Sequence, residues 1–306
     1  MPVLRLNAEE HGLAVHRSPA CADAALRRAA QGAGPIIVMT HGFKYQPGLT
    51  QHCPHDSIFS LNAPHGWPRH LGFGLGRSEE GLALAYGWQA RGLLWQVQRR
   101  ARRAGQQLAE AITTLRRAAP HRPIHLITHS MGSEVALEAL HHLAPNDIAR
   151  VISLTAASYQ SRAIEALATP AGRRAELLNI TSGENDLFDF AFERLIAPPC
   201  PGDRALGAGL DLPNAVSIQI DCARTLAAMS RLGAPVAPPS RRVCHWSAYT
   251  RPGLLRFYRI ALREPARTPL SELLRALPAT RDRRFARLLP RIPVSQGLPY
   301  WTQRAS

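Results

Sequence analysis

The chain has 306 residues, 45% of them hydrophobic, and a formal net charge of +15. That length and apolar content suit one α/β domain with a large buried core, and five scattered cysteines, an odd number, indicate no disulfide framework. Nearly all the positive charge is arginine, with Lys44 the only lysine, and it is spread along the chain without a zinc-finger or RNA-recognition signature, which argues against specific nucleic-acid binding.

Taken in chain order, the N-terminus carries no apolar h-region, and no apolar run reaches the ~20 residues a membrane span needs. A cytoplasmic protein without a transmembrane segment is therefore expected. Residues 34–40 predict a short buried strand. A long segment rich in glycine, proline and histidine follows, 44–81, then a second strand at 82–86. The clearest helix spans 93–118, where Leu94, Val97, Ala101, Ala104, Leu108, Ala111 and Leu115 recur at three- and four-residue steps. Strand and helix then alternate: 124–128, 133–143, 151–155 and 177–181, with a further strand at 215–220 and a helix at 223–232. That rhythm predicts an α/β fold with a mostly parallel central sheet and helices on both faces.

Chemistry concentrates where the strand Ile124-His125-Leu126-Ile127-Thr128 stops at His129-Ser130-Met131-Gly132 and a helical pattern begins at once. A strand turning sharply into a helix lifts a serine hydroxyl to where a base and a carbonyl can reach it. The segment resembles the Gly-x-Ser-x-Gly nucleophile elbow of the α/β-hydrolase superfamily, with Thr128 in place of the first glycine. The strand ending at Thr40 runs into His41-Gly42-Phe43. By that resemblance the N–H groups of Phe43 and Met131 form the oxyanion hole, each donor worth about 3–4 kcal/mol in the transition state. The superfamily orders its triad serine, acid, histidine. The strand at 177–181 leads into Ser182-Gly183-Glu184-Asn185-Asp186, which makes Asp186 the expected acid, with Asp189 and Glu184 as alternatives. Of 13 histidines only His245 lies beyond Asp186, so it is the expected base.

The resemblance covers roughly residues 36–262, and the segments Ser-Gly-Glu-Asn-Asp-Leu-Phe-Asp and Cys-His-Trp-Ser look like a group of uncharacterised bacterial α/β-hydrolases. It implies a serine hydrolase cleaving carboxylic esters through Ser130, His245 and Asp186, esterase- or lipase-like, needing no cofactor and no metal. The implied partner is a small-molecule ester with an apolar acyl or aryl part. A lactonase, thioesterase, amidase or acyltransferase on the same triad, or a catalytically silent binding protein, stays open.

Domain organisation is expected as a hydrolase domain, 1–263, and a basic, proline- and arginine-rich extension, 264–306. Segments 44–81 and 187–239 are expected as insertions over the site. Their aromatic residues (Tyr45, Phe59, Trp67 and Phe73; Phe188, Phe190 and Phe192) either shape an apolar pocket or anchor the loops. His52-Cys53-Pro54-His55-Asp56, with His65 and His70 beyond, contains metal-ligand types at a spacing that matches no familiar site. Near the C-terminus Phe285, Leu288 and Leu289 form a short amphipathic turn, read as docking on the domain.

Overall fold

The structure is a computed structural model and describes residues 3–288. Its eight strands are β1 (Val3–Glu9), β2 (Gly12–Val15), β3 (Ile36–Thr40), β4 (Leu82–Gly87), β5 (Ile124–His129), β6 (Arg150–Leu154), β7 (Glu176–Thr181) and β8 (Ala215–Gln219). They form one sheet in the order β2-β1-β4-β3-β5-β6-β7-β8, and every pairing except the β1–β2 hairpin is parallel. In β3, β4, β5 and β6 every residue is buried, as expected of strands covered on both faces.

Alternation along the strands divides the core into two. Ile36, Val38, Leu82, Leu84, Ile124 and Leu126 point to one face, and Ile37, Met39, Ala83, Ala85 and Ile127 to the other. The first face is covered by α1 (Ala22–Ala29), α3 (Leu94–Ala118), α4 (Gly132–Leu140) and α5 (Gln160–Ala168). The second takes α2 (Trp67–His70), α7 (Ala223–Arg231), α8 (Ser247–Thr250), α9 (Leu254–Arg263) and α10 (Leu270–Ala276). Helix α6 (Asp186–Leu195) follows β7 and buries only Phe192 of its apolar side chains.

Two expected boundaries look different in three dimensions. The segment 187–239 supplies β8 and α7, so part of it builds the sheet edge and its cover rather than a lid. Residues beyond 263 do not stand apart either. Leu270, Leu273 and Leu277 join the second core, and the buried Arg150 guanidinium donates to the carbonyls of Ala261 (2.7 Å) and Thr268 (2.9 Å). Farther on, Phe285 packs against Phe190 with ring centroids 6.3 Å apart, while Leu289 lies outside the described residues. Phe59, Trp67 and Phe73 are fully buried in the second core, where they anchor the segment 44–81. No described helix is long and apolar enough to cross a membrane.

Candidate active site

Ser130 sits between β5 and α4 with φ of 54°, in the left-handed region that a residue with a side chain seldom occupies. Both sides of the bend are tied to β6 and the loop after it: the Ser130 N–H donates to Leu154 O (2.9 Å), and Ser130 O accepts from the Ala157 N–H (3.1 Å). Close approach explains the glycine. A Cβ on Gly132 would meet the His41 carbonyl oxygen at 2.6 Å, so the first turn of α4 can lie against the end of β3 only without a side chain there. Thr128, in the first-glycine place, is accommodated by polarity. Its Oγ1 lies 3.0 Å from Ser133 Oγ, which in turn lies 2.6 Å from Ser153 Oγ, a buried hydroxyl chain beneath the bend.

The loop after β3 faces the serine directly. A Cβ on Gly42 would come within 2.5 Å of Ser130 Cβ. His41 fixes this loop. Its Nε2 accepts from the Trp88 N–H (3.0 Å), so the proton sits on Nδ1, which donates to Gly42 O at 2.9 Å. Trp88 also stacks on the imidazole, 9° from parallel, and donates through Nε1 to His41 O. Because the peptide is trans, holding the Gly42 carbonyl against His41 turns the Phe43 N–H the opposite way. Burial pushes the His41 pKa down to about 3, so this strut is neutral. Among the described residues neither the Phe43 nor the Met131 N–H has a hydrogen-bond acceptor. Two N–H groups without an acceptor beside the Ser130 hydroxyl, one of them at the N-terminus of α4, are donors of the kind that can hold an anion.

His245 is brought over the strand ends by its own backbone. Its carbonyl accepts from His129 Nε2 (3.1 Å) and Thr155 Oγ1 (3.2 Å), while the Cys244 N–H donates to Glu184 O (2.9 Å). Phe188 stacks on the imidazole at 4.7 Å. Burial, with His129 and Lys44 nearby, holds the His245 pKa well below the ordinary histidine value, so the ring is neutral and able to accept a proton. The Ser130 hydroxyl and the His245 ring are not hydrogen-bonded to each other in this structure; such contacts commonly tighten only when substrate arrives.

The partner of His245 is Asn185. His245 Nδ1–H donates to Asn185 Oδ1 at 2.6 Å, and Asn185 Nδ2 donates to Asp189 Oδ1 at 2.9 Å. Asp186 faces elsewhere: its Oδ2 accepts the Phe285 N–H at 2.5 Å. Glu184 is paired with Arg251. The residue that meets His245 thus lies one position before Asp186, and the geometry explains why. A 3₁₀ turn (Gly183–Asn185) delivers the chain into α6, so Asn185 points to the histidine, Asp186 is rotated toward the C-terminal segment, and Asp189, four residues on, returns to the Asn185 face. Asp189 is 2% exposed, and burial pushes its pKa up to about 8 despite the nearby Arg284. Burial also raises Asp186, partly offset by the Phe285 N–H.

Of the residues singled out in the sequence, Ser130, Phe43 and Met131 form one cluster, and His245 lies over its edge. His129, Thr155 and Asn185 were not given a role, and His41 was read only as part of the loop that carries Phe43. The Asn185–Asp189 spacing of one helical turn was the available signal for one of them. A cavity of about 450 Å³ lies to the side, lined by Asn7, Gln46, Trp88, Arg100 and Gln107 among others, and does not reach Ser130, which is 4% exposed.

Sheet order, elbow and oxyanion loop coincide with a match to a family model described as an alpha/beta hydrolase of unknown function (DUF900) over residues 22–160. The chain has an α/β-hydrolase fold. Among solved structures it is similar to a Trichoderma reesei cutinase in complex with a C11Y4 phosphonate inhibitor, at 15% identity and a TM-score of 0.29. That match covers 44% of this chain and 66% of the cutinase. No curated protein matches the sequence. The matched family region contains Phe43, Ser130 and Met131 and ends before Asn185 and His245.

Proposed function

We propose that this α/β-hydrolase is a serine esterase in which Ser130, His245 and Asn185 act as the triad. The observation that carries the proposal is the strained Ser130 set between two unused N–H donors, Phe43 and Met131, on a rigid His41–Trp88 shelf. Ser130 attacks the ester carbonyl, and His245 takes its proton at Nε2 because Asn185 keeps the other proton on Nδ1. The two N–H groups hold the oxyanion, and His245 returns the proton to the departing alkoxide. Water then releases the acyl group from Ser130 by the same proton path. Asp189 positions the Asn185 amide so that its oxygen, not its nitrogen, faces the histidine. No cofactor takes part.

An apolar rim supports an ester with an acyl or aryl part. Phe188 (37% exposed) and Trp246 (46%) stand around His245, where an apolar substrate would cover them and exclude water. The deciding experiment is labelling of the purified chain with a fluorophosphonate probe beside Ser130→Ala and His245→Ala variants, with p-nitrophenyl esters of graded chain length as substrates. Both variants should lose labelling and turnover by at least about 10³-fold. A folded wild-type chain that neither labels nor turns over any ester would sink the reading.

A further inference from the structure

Away from Ser130, at the sheet edge, a second set of chemically able side chains converges. His16, one residue past β2, lies with its Nε2 3.8 Å from Cys53 Sγ. Asp56, in the 3₁₀ turn Pro54–Asp56, completes a group whose donor atoms all fall within 4.8 Å of one another. His16 and Cys53 are buried, Asp56 is exposed, and the ring of His55 packs 4.2 Å from that of His16.

We propose that His16, Cys53 and Asp56 form a zinc site that pins the segment 44–81 to the β1–β2 hairpin. Ordinary Zn–S and Zn–N bonds of about 2.3 and 2.0 Å in a tetrahedron put sulfur and nitrogen roughly 3.5 Å apart, close to the spacing already present. A thiolate and a carboxylate neutralise the divalent charge, a neutral imidazole adds the third donor, and water takes the fourth position. Thiolate with imidazole favours zinc over magnesium or calcium.

Two local groups have to accommodate the ion, and both can. Binding through Nε2 places the His16 proton on Nδ1, where Asn7 Nδ2 now sits at 3.3 Å, while Asn7 Oδ1 lies 2.8 Å from His55 Nε2. Turning the Asn7 amide by 180° lets its oxygen accept from His16 and its NH₂ donate to His55. His55 Nδ1, buried without a partner, is free to take up the displaced proton. Asp56 is held by Arg17 at 2.6 and 2.9 Å, an exposed and solvent-screened pair that is weak beside a zinc bond. The carboxylate has lone pairs for both cations.

Consequences reach the other site. The pinned segment starts directly after Phe43, and its Tyr45 packs 5.3 Å from the His41 ring. A metal there stiffens the loop that aims the oxyanion donor.

The test uses the full chain, stripped with chelator and titrated with Co²⁺ as a spectroscopic probe and then with Zn²⁺. Expected are one Co²⁺ per chain with a near-ultraviolet thiolate-to-cobalt band, loss of the band on adding Zn²⁺, and a raised Tm with Zn²⁺. Cys53→Ser should abolish the band and Cys222→Ser should leave it. Asp56→Asn should weaken binding at least about tenfold. Arg17→Ala, which keeps every ligand, should tighten it. Absence of a thiolate band in the wild-type chain, or its persistence in folded Cys53→Ser, overturns the proposal. If Cys53→Ser does not fold, Asp56→Asn decides, since it alters an exposed side chain: unchanged affinity there overturns the site.

Discussion

The two halves of the candidate site are built from different materials. Around Ser130, backbone does the positioning: a left-handed φ at the serine, N–H donors at Phe43 and Met131, and glycines at 42 and 132 where a Cβ would strike the facing chain. Around His245, side chains do it: an imidazole on a carboxamide, the carboxamide on a buried carboxyl, and an aromatic ring stacked on the imidazole. Backbone geometry demands particular residues at fixed spacing and so leaves a readable pattern. A side-chain relay depends on which way each residue faces, and several neighbours can fill a slot on paper.

The sharpest way to break that contrast is to exchange the two neighbours in the loop after β7. Asn185→Ala removes the acceptor of His245 Nδ1–H, so kcat/KM for an ester should fall by about 10²–10⁴. Asp186→Asn leaves that bond alone and should cost less than about tenfold. Equal losses, or a larger loss from Asp186→Asn, would return the acid role to Asp186 and mean the loop rearranges in solution.

This one-residue displacement shows how far the sequence could be read. The strands at 82–87, 124–129 and 176–181 and the helix at 94–118 were legible because burial on both faces or on one face imposes a period. Ser130 and His41-Gly42-Phe43 were legible because the bend and the donors need those residue types in order. The β1–β2 hairpin was not, since Arg5, Asn7 and Glu9 alternate with Leu4, Leu6 and Ala8 at a half-covered edge and mimic a polar terminus. Asn185 was missed for a different reason: a triad reading looks for a carboxylate, and the residue that meets His245 is a carboxamide, itself hydrogen-bonded to Asp189.

A smaller effect should distinguish backbone-built positions from the rest. Gly132→Ala drives a Cβ to 2.6 Å from His41 O and 3.0 Å from Thr40 O, backbone atoms that cannot swing aside. Overpacking of this kind costs about 1–3 kcal/mol and should lower Tm while displacing the oxyanion loop. Gly202→Ala, where a Cβ meets nothing within 4 Å but φ is positive, separates strain from collision. A Gly132→Ala loss no greater than that of Gly202→Ala would mean that α4 and β3 are not in close contact.

The side-chain half has its own signature in pH. The Asp189 carboxyl, with its pKa pushed up to about 8 by burial, keeps its proton in the folded chain and loses it near pH 4 when unfolded. Between those values the folded state binds more protons, so stability falls as pH rises, by up to about 1.4 kcal/mol per unit from this group. Asp189→Asn keeps an acceptor for Asn185 Nδ2 and carries no proton to lose. Urea unfolding at pH 5 and pH 7 should therefore show a shallower decline in the variant; parallel declines would mean that Asp189 is solvated or paired with Arg284 as an anion.

The smallest effect tests how the two halves meet. Lys44 follows Phe43 at a left-handed φ of 76°, and its charge helps to hold the His245 pKa down. Only neutral His245 can accept the Ser130 proton, so the acidic limb of kcat/KM should lie below the ordinary histidine range. Lys44→Gln removes a positive charge that disfavours imidazolium, which raises the His245 pKa and moves that limb to higher pH. Added salt should move the wild-type limb the same way and leave the variant nearly still, because an exposed lysine acts through screened solvent. A limb that ignores both changes would leave burial alone to set the base. The backbone shelf and the side-chain relay would then touch without electrostatic coupling.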